Sequence, residues 1–256
     1  MKHILFIIAV SIIILTVLSN SPLRAQTGQD RPKVEDVINH IDQLYRSESS
    51  YSEVEMKIVT EHWERTLEMK VWTRDMDHTL VRITAPEKEK GVGTLRIENE
   101  MWNYLPKTNK VIKIPPSMMM NSWMGSDFTN DDLVKEFSLF EDYDYEYTTV
   151  ENPNDSLYYI ECIPHKDLPV VWGSIVIAAT RDDYIPVWQK YYDEKGNLAR
   201  TLYFRDVTTF DGRKIPAAME MVPEDEESRT VMRYNELDFG IDLDKNIFTL
   251  RNLRSE

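Results

Sequence analysis

Beyond residue 49 the chain alternates apolar and polar positions in short runs, each closed by turn-forming residues. A period of two sends successive side chains to opposite faces, so each run reads as a strand with one apolar face. The alternation predicts strands over 51–61, 66–73, 78–84, 93–99, 101–105 and 110–114, and again over 143–150, 157–163, 173–179, 186–192, 198–207, 214–222 and 229–239. Turn chemistry separates most of them: Arg74-Asp75-Met76-Asp77, Asn152-Pro153-Asn154-Asp155, Asp193 to Asn197, and Asp211-Gly212-Arg213. Many short strands with hairpin-length links predict an antiparallel meander that curls into a barrel or half-barrel. Before the strands, residues 31–46 follow the helical period. Val34, Val37, Ile38, Ile41, Leu44 and Tyr45 recur at three- and four-residue spacing, and Pro32 stands where a first turn accepts proline. Such an apolar stripe needs a partner, most simply the sheet.

The alternation breaks once, between Lys113 and Leu139. Pro115 and Pro116 end a strand, because proline has no amide donor and restricts the residue before it. Met118, Met119, Met120, Trp123, Met124 and Phe128 then fall within eleven residues. Thr129 or Asn130 can cap a short helix whose first turn carries Asp131 and Asp132 and whose apolar side carries Leu133, Val134 and Phe137. A segment this apolar must bury itself, and methionine adapts to irregular or changing partners. Two readings stand: a core plug, or a cover over an apolar cavity that opens and closes. The aromatic residues Trp72, Trp102, Tyr104, Trp172 and Trp188 likewise fit either plain core or cavity wall.

Residues 1–25 read as an export leader. Lys2 gives the positive start, residues 4–18 are almost entirely apolar, and a small, polar run ends at Ala25, after which cleavage is expected. No cysteine follows the apolar run, so no lipid anchor is expected on the chain itself. Without Lys2 and Arg24 the 30 basic residues become 28 against 44 acidic ones, a net charge of −16. That balance argues against nucleic acid as a partner. Cys162 is the only cysteine, which excludes an internal disulfide and a cysteine-rich metal site. With no linker or internal repeat, residues 26–256 are expected to form one domain, with no cofactor and as a monomer.

Catalytic signatures are lacking. Gly125-Ser126 and Gly173-Ser174 miss the second glycine of a nucleophile elbow. The histidines show no metal-ligand spacing, and Asp242-Leu243-Asp244 opens like a calcium loop but has Ile247 where the sharp turn needs glycine. The composition points away from an enzyme.

Trp123-Met124-Gly125-Ser126-Asp127-Phe128 followed by Asp131-Asp132-Leu133 resembles the W-x-G-S-D-F…D-L signature of a longer branch of the outer-membrane lipoprotein-sorting carriers, the LolA-like family. Trp102-Asn103-Tyr104-Leu105-Pro106, Lys113-Ile114-Pro115 and Ile247-Phe248-Thr249 resemble further motifs of that branch. The resemblance implies an incomplete antiparallel barrel, a helical lid over its mouth (about 115–139), acyl chains of lipid or lipoprotein in the concavity, and a Gram-negative periplasmic setting. It also implies a possible transporter partner of the RND or ABC kind. The lid-fastening arginine of the shorter carriers aligns securely to no position here. On this reading Met118, Met119, Met120, Trp123, Met124 and Phe128 form an adaptable rim and lid. Leu133, Phe137, Trp72, Trp102 and Tyr104 complete the candidate ligand-binding set, and Ser126 and Asp127 fix the turn. The competing reading is an accessory protein that docks on an envelope transporter through the Met/Trp-rich segment and carries nothing.

Overall fold

A computed structural model of the chain describes residues 31–134, 138–166, 168 and 170–254; the leader read over 1–25 and Phe137 lie outside the described residues. Helix α1 is Val34–Gln43. The first six strands are β1 Ser49–Val59, β2 Glu64–Arg74, β3 His78–Ala85, β4 Gly93–Ile97, β5 Glu100–Leu105 and β6 Lys110–Lys113. A short helix, α2 Asn130–Val134, interrupts the strands. Then come β7 Tyr143–Tyr147, β8 Leu157–Pro164, β9 Ser174–Thr180, β10 Pro186–Tyr192, β11 Leu198–Phe210, β12 Arg213–Pro223, β13 Arg229–Phe239 and a last helical turn, α3 Leu250–Leu253. Every strand the alternation predicts is present, with ends moved by a few residues. The helix predicted over 31–46 is shorter. Lys33 is extended at ψ 139° and serves as its N-cap, so Pro32 stands before the helix and not in its first turn.

The thirteen strands form one antiparallel sheet in the order β6-β5-β4-β3-β2-β1-β13-β12-β11-β10-β9-β8-β7. Hairpins run outward in both directions from the β1–β13 pair, which joins the two ends of the chain. The sheet stays open: β6 and β7 are its edges, and in sequence they are linked by the Met/Trp-rich stretch. Tight turns hold the hairpins. At Asp211-Gly212 both residues take positive φ, 46° and 78°, as a two-residue turn matching the strand twist requires.

Side-chain alternation sorts the core into two faces. The inner face carries Val54, Met56 and Ile58 of β1, Leu67 and Met69 of β2, Val81 and Ile83 of β3, Leu202 of β11 and Met221 of β12, all buried together with Trp123 and Phe128. Farther along, Val37, Ile38 and Ile41 of α1 pack on Ile160, Cys162, Ile175 and Ile177. The helix stripe thus finds the sheet partner its sequence requires.

The outer face has its own cluster. Trp72, Leu80, Leu95 and Trp102 are cross-strand partners in one row over β2 to β5. With Tyr104 they pack beneath Ile247, Phe248 and Leu253 of the C-terminal segment. Trp72, Trp102 and Tyr104 are of opposite parity to the residues that face α1 and the interrupting stretch. They belong to a different surface of the sheet from Trp123 and Phe128.

Candidate functional site

The inner face is not completely filled. Between α1, the α2 segment and strands β10 to β13 lies a cavity of about 410 Å³. Its floor is apolar: Leu202 and Phe204 of β11, Met219 and Met221 of β12, and Met232 and Tyr234 of β13. These are alternate residues of neighbouring strands, so the sheet's period of two assembles them without any special loop. Phe128, Leu133 and Leu139 line the cavity from the stretch side, with Ile41 of α1 and Tyr45 just after it on another side. Tyr45 stacks on Tyr234 with centroids 5.9 Å apart and donates its hydroxyl to Pro216 O at 2.8 Å.

The interrupting stretch has two parts with different packing. In the first, Trp123 is 2% exposed and Phe128 6%. Trp123 Nε1 donates to Thr94 Oγ1 at 3.1 Å, Trp123 N donates to Phe128 O at 2.8 Å, and Ser126 Oγ donates to Trp123 O at 2.7 Å. Met124 and Gly125 both take positive φ, 53° and 76°, and Arg65 Nη2 donates to Met124 O. Ser126 secures its own turn, as the sequence leads one to expect. Asp127 instead reaches the sheet: its carboxylate accepts from Thr230 Oγ1 at 2.6 Å and from Ser228 Oγ. This part is core.

The second part lines the cavity. Thr129 caps α2: Asp132 N donates to Thr129 Oγ1 at 3.1 Å, and Asp132 Oδ2 accepts from Thr129 N at 2.8 Å, a reciprocal capping box. The same carboxylate meets Arg200 of β11 through two bonds, Nη1 to Oδ2 at 2.8 Å and Nη2 to Oδ1 at 2.6 Å. Arg200 side-chain exposure is only 8%, and its guanidinium lies 4.4 Å from the Trp172 ring centre and 4.7 Å from that of Tyr191. Burial acts to neutralise both partners, but each is held ionised by the other. Asp132 stays below the ordinary carboxylate range and Arg200 above its own. Tyr191 beside them is pushed up to about 12 by burial, against the pull of Arg200. Past the residues that are not described, Asp42 of α1 takes over. It accepts from Ser138 Oγ at 3.1 Å and Leu139 N at 2.9 Å, and pairs with Arg46 at 2.8 Å.

Of the candidate ligand-binding set, Phe128 and Leu133 line this cavity among the described residues; so do Asp131 and Asp132 of the short helix and Trp172, one of the aromatics that fit either core or cavity wall. Trp123, Met119 and Met124 pack in the adjoining core. Met118 and Met120 are each 43% exposed. Trp72, Trp102 and Tyr104 are on the outer face. Arg200 escapes sequence reasoning, although a signal was present: it occupies the same parity as Leu198, Leu202 and Phe204, an arginine in an apolar row.

The open antiparallel sheet has solved relatives. A family model described as "Uncharacterized protein"-like matches residues 75–255. No curated protein matches the chain. Among solved structures, a DUF1329 family protein from Desulfovibrio piger is 26% identical, with a TM-score of 0.76 over 86% of this chain and 97% of that one. An outer-membrane lipoprotein-sorting protein domain from Vibrio parahaemolyticus is 22% identical, with a TM-score of 0.73 over 86% and 97%. A LolA superfamily protein from Nitrosomonas europaea is 18% identical, with a TM-score of 0.70 over 85% and 98%. The open antiparallel sheet is the one the Trp123 to Phe128 motif led us to expect, and the chain belongs to the family whose model covers residues 75–255, with the LolA-like fold of the lipoprotein-sorting proteins.

Proposed function

We propose that the protein is an exported periplasmic carrier that takes acyl chains of a lipid or lipoprotein into the inner-face cavity and releases them elsewhere in the envelope. The observation that carries this reading is the cavity of about 410 Å³, floored by Leu202, Phe204, Met219, Met221 and Met232 and closed by a segment held through side-chain contacts. Its volume falls in the range of small-molecule sites. Each methylene transferred from water contributes about 0.8 kcal/mol, so a chain only partly inserted already binds usefully. The lipoprotein-sorting domain that shares this fold supports acyl cargo. Among the ionisable side chains at the cavity, Asp42 is paired with Arg46 and Asp132 with Arg200. That arrangement suits a closure better than acid–base catalysis.

A fluorescent fatty-acid probe tests the proposal, with Met232→Trp filling the cavity floor. The wild-type protein should bind the probe, and the variant should lose about tenfold in affinity, the effect of excluding roughly two methylenes. Equal binding by both proteins would place any acyl site elsewhere.

A second reading is favoured by the exposure of Met118 and Met120, because methionine is enriched in interface cores. On that reading the stretch docks on an RND- or ABC-type envelope transporter. Met118→Gln with Met120→Gln would then abolish co-purification of the transporter and leave probe binding unchanged.

A further inference from the structure

We infer that the cavity selects acyl ligands with an anionic head, a carboxylate or a phosphate, and that this head takes the place of Asp132 on Arg200. The inference rests on the carrier reading and deepens it.

The starting point is an asymmetry between the two partners. Arg200 sits within β11, paired on one side with Tyr191 of β10 and on the other with Pro223 of β12. Its side chain is more than nine-tenths buried and lies against Trp172 and Tyr191. It cannot leave without breaking the sheet. Asp132 sits on a five-residue helix outside the sheet. Asp131, Asp132 and Leu133 line the cavity from this helix; a chain that enters on this side displaces the helix, and the two carboxylates go with it into water. Asp42 stays behind, but it is matched by Arg46. The opened cavity therefore keeps one unmatched charge, the positive charge of Arg200.

An unpaired buried cation is among the costliest arrangements in a protein. Water reaches it poorly once an acyl chain fills the apolar floor beside it. An anion brought in by the cargo restores the pairing. The geometry is suited to this, since Arg200 presents Nη1 and Nη2 as a fork to both carboxylate oxygens of Asp132, and the same fork accepts a carboxylate or a phosphate in two-pronged fashion. Arg200 Nε is buried without a hydrogen-bond partner, so a further donor is held in reserve for a ligand with more oxygens than Asp132. Leu202 and Phe204 continue along the same face of β11, which places the apolar floor directly beside the charged group. Head and chain thus find their sites on one strand. A neutral head leaves Arg200 unmatched, and a cationic one makes the imbalance worse.

The test compares lauric acid, lauryl phosphate and lauryl alcohol as displacers of an uncharged fluorescent acyl probe, on wild type, Arg200→Gln and Asp132→Asn, with each variant's melt recorded. In the wild type both anions should displace the probe at concentrations about tenfold or more below the alcohol, the size of a hydrogen bond to a buried charge. Arg200→Gln should bind all three at the alcohol's level. Asp132→Asn removes the internal competitor, so it should tighten both anions; the alcohol gains too, because opening no longer breaks an ion pair, and the preference for anion over alcohol that Arg200→Gln abolishes should remain in Asp132→Asn. That unequal response of two partners in one ion pair is what a purely structural bridge would not give. Laurate favoured over the phosphate identifies a fatty carboxylate as the source, and the reverse identifies a phospholipid head. Equal displacement by anion and alcohol in the wild type, or weaker anion binding in Asp132→Asn, overturns the inference and leaves the carrier reading standing. If no displacer competes and the probe itself does not bind, both fail. Should Arg200→Gln not fold, the wild type and Asp132→Asn decide the matter alone.

Discussion

Trp123 Nε1 donates to Thr94 Oγ1 across 3.1 Å, and Thr94 Oγ1 in turn donates to Asn103 Oδ1 at 2.8 Å, so the indole is the end of a polar chain inside an apolar core. The ring is 2% exposed and packs among residues of the inner-face cluster, such as Met69 and Val81. Trp123→Ala is therefore expected to destabilise the fold by about 3–5 kcal/mol, as truncation of a large core aromatic does. Acyl-probe affinity per folded molecule should change little, because the ring does not line the cavity. A denaturant melt and a probe titration on the same sample check both. A small loss of stability with a large loss of binding would return Trp123 to the role of a mobile cover.

Acid should loosen the α2 segment. Burial raises the carboxyl pKa of Asp132, but the two Arg200 bonds, its charge and the Thr129 contacts outweigh that, and the folded-state value is lowered. A carboxyl with a lowered folded pKa adds stability that is complete above its unfolded value, about 4, and is lost as pH falls through the folded value. Wild-type stability should thus fall below about pH 4 more steeply than that of Asp132→Asn, which has no such proton to take up. Thermal melts over that range test the sign. Parallel curves would mean that the ion pair contributes nothing to the closed state.

Cys162 should resist thiol reagents in the folded protein. Its side chain is fully buried beneath α1, and burial pushes its pKa up to about 12, so the reactive thiolate is scarce. Labelling is expected to follow unfolding, at a rate that rises with denaturant. Rapid labelling in native buffer would show that α1 lifts readily from β8 and β9.

Two glycines separate a yielding from an unyielding contact. A methyl group at Gly173 would stand 2.6 Å from Asp193 O and 3.0 Å from Glu194 Cα, both backbone atoms. At Gly93 it would meet Leu253 Cδ1 at 2.7 Å, the end of a side chain that can rotate away. Gly173→Ala should cost about 1–3 kcal/mol in the melt and Gly93→Ala less than that, in line with overpacking at rigid and adaptable sites. Equal costs would mean that the turn from Asp193 to Asn197 moves as easily as a leucine.

The strands were legible because the alternation that defines them is local. Leu67, Met69 and Val71 announce one face of β2 without reference to any other part of the chain. The same parity could have placed Trp72 on the other face, but a wide aromatic attracts attention by its identity and not by its register. What the sequence did not reveal is pairing over distance. Asp132 and Arg200 are 68 positions apart, and among so many charged residues no spacing rule links them. Which residues of the interrupting stretch are buried and which exposed was equally hidden, since Met118 and Met119 look alike in sequence yet only Met119 packs on the core. Burial of a methionine here depends on whether it meets the inner-face cluster, which is a property of the folded sheet.

The central claim is that the inner-face cavity holds an acyl chain, and native mass spectrometry of the protein purified from its own cells and then incubated with acyl lipid tests it most directly. The account predicts a bound species of about one acyl lipid per chain in the wild type, either carried through purification or taken up on incubation, and its loss in Met232→Trp. A wild-type protein that stays empty under both conditions, or a Met232→Trp variant that loads to the same extent, would contradict it.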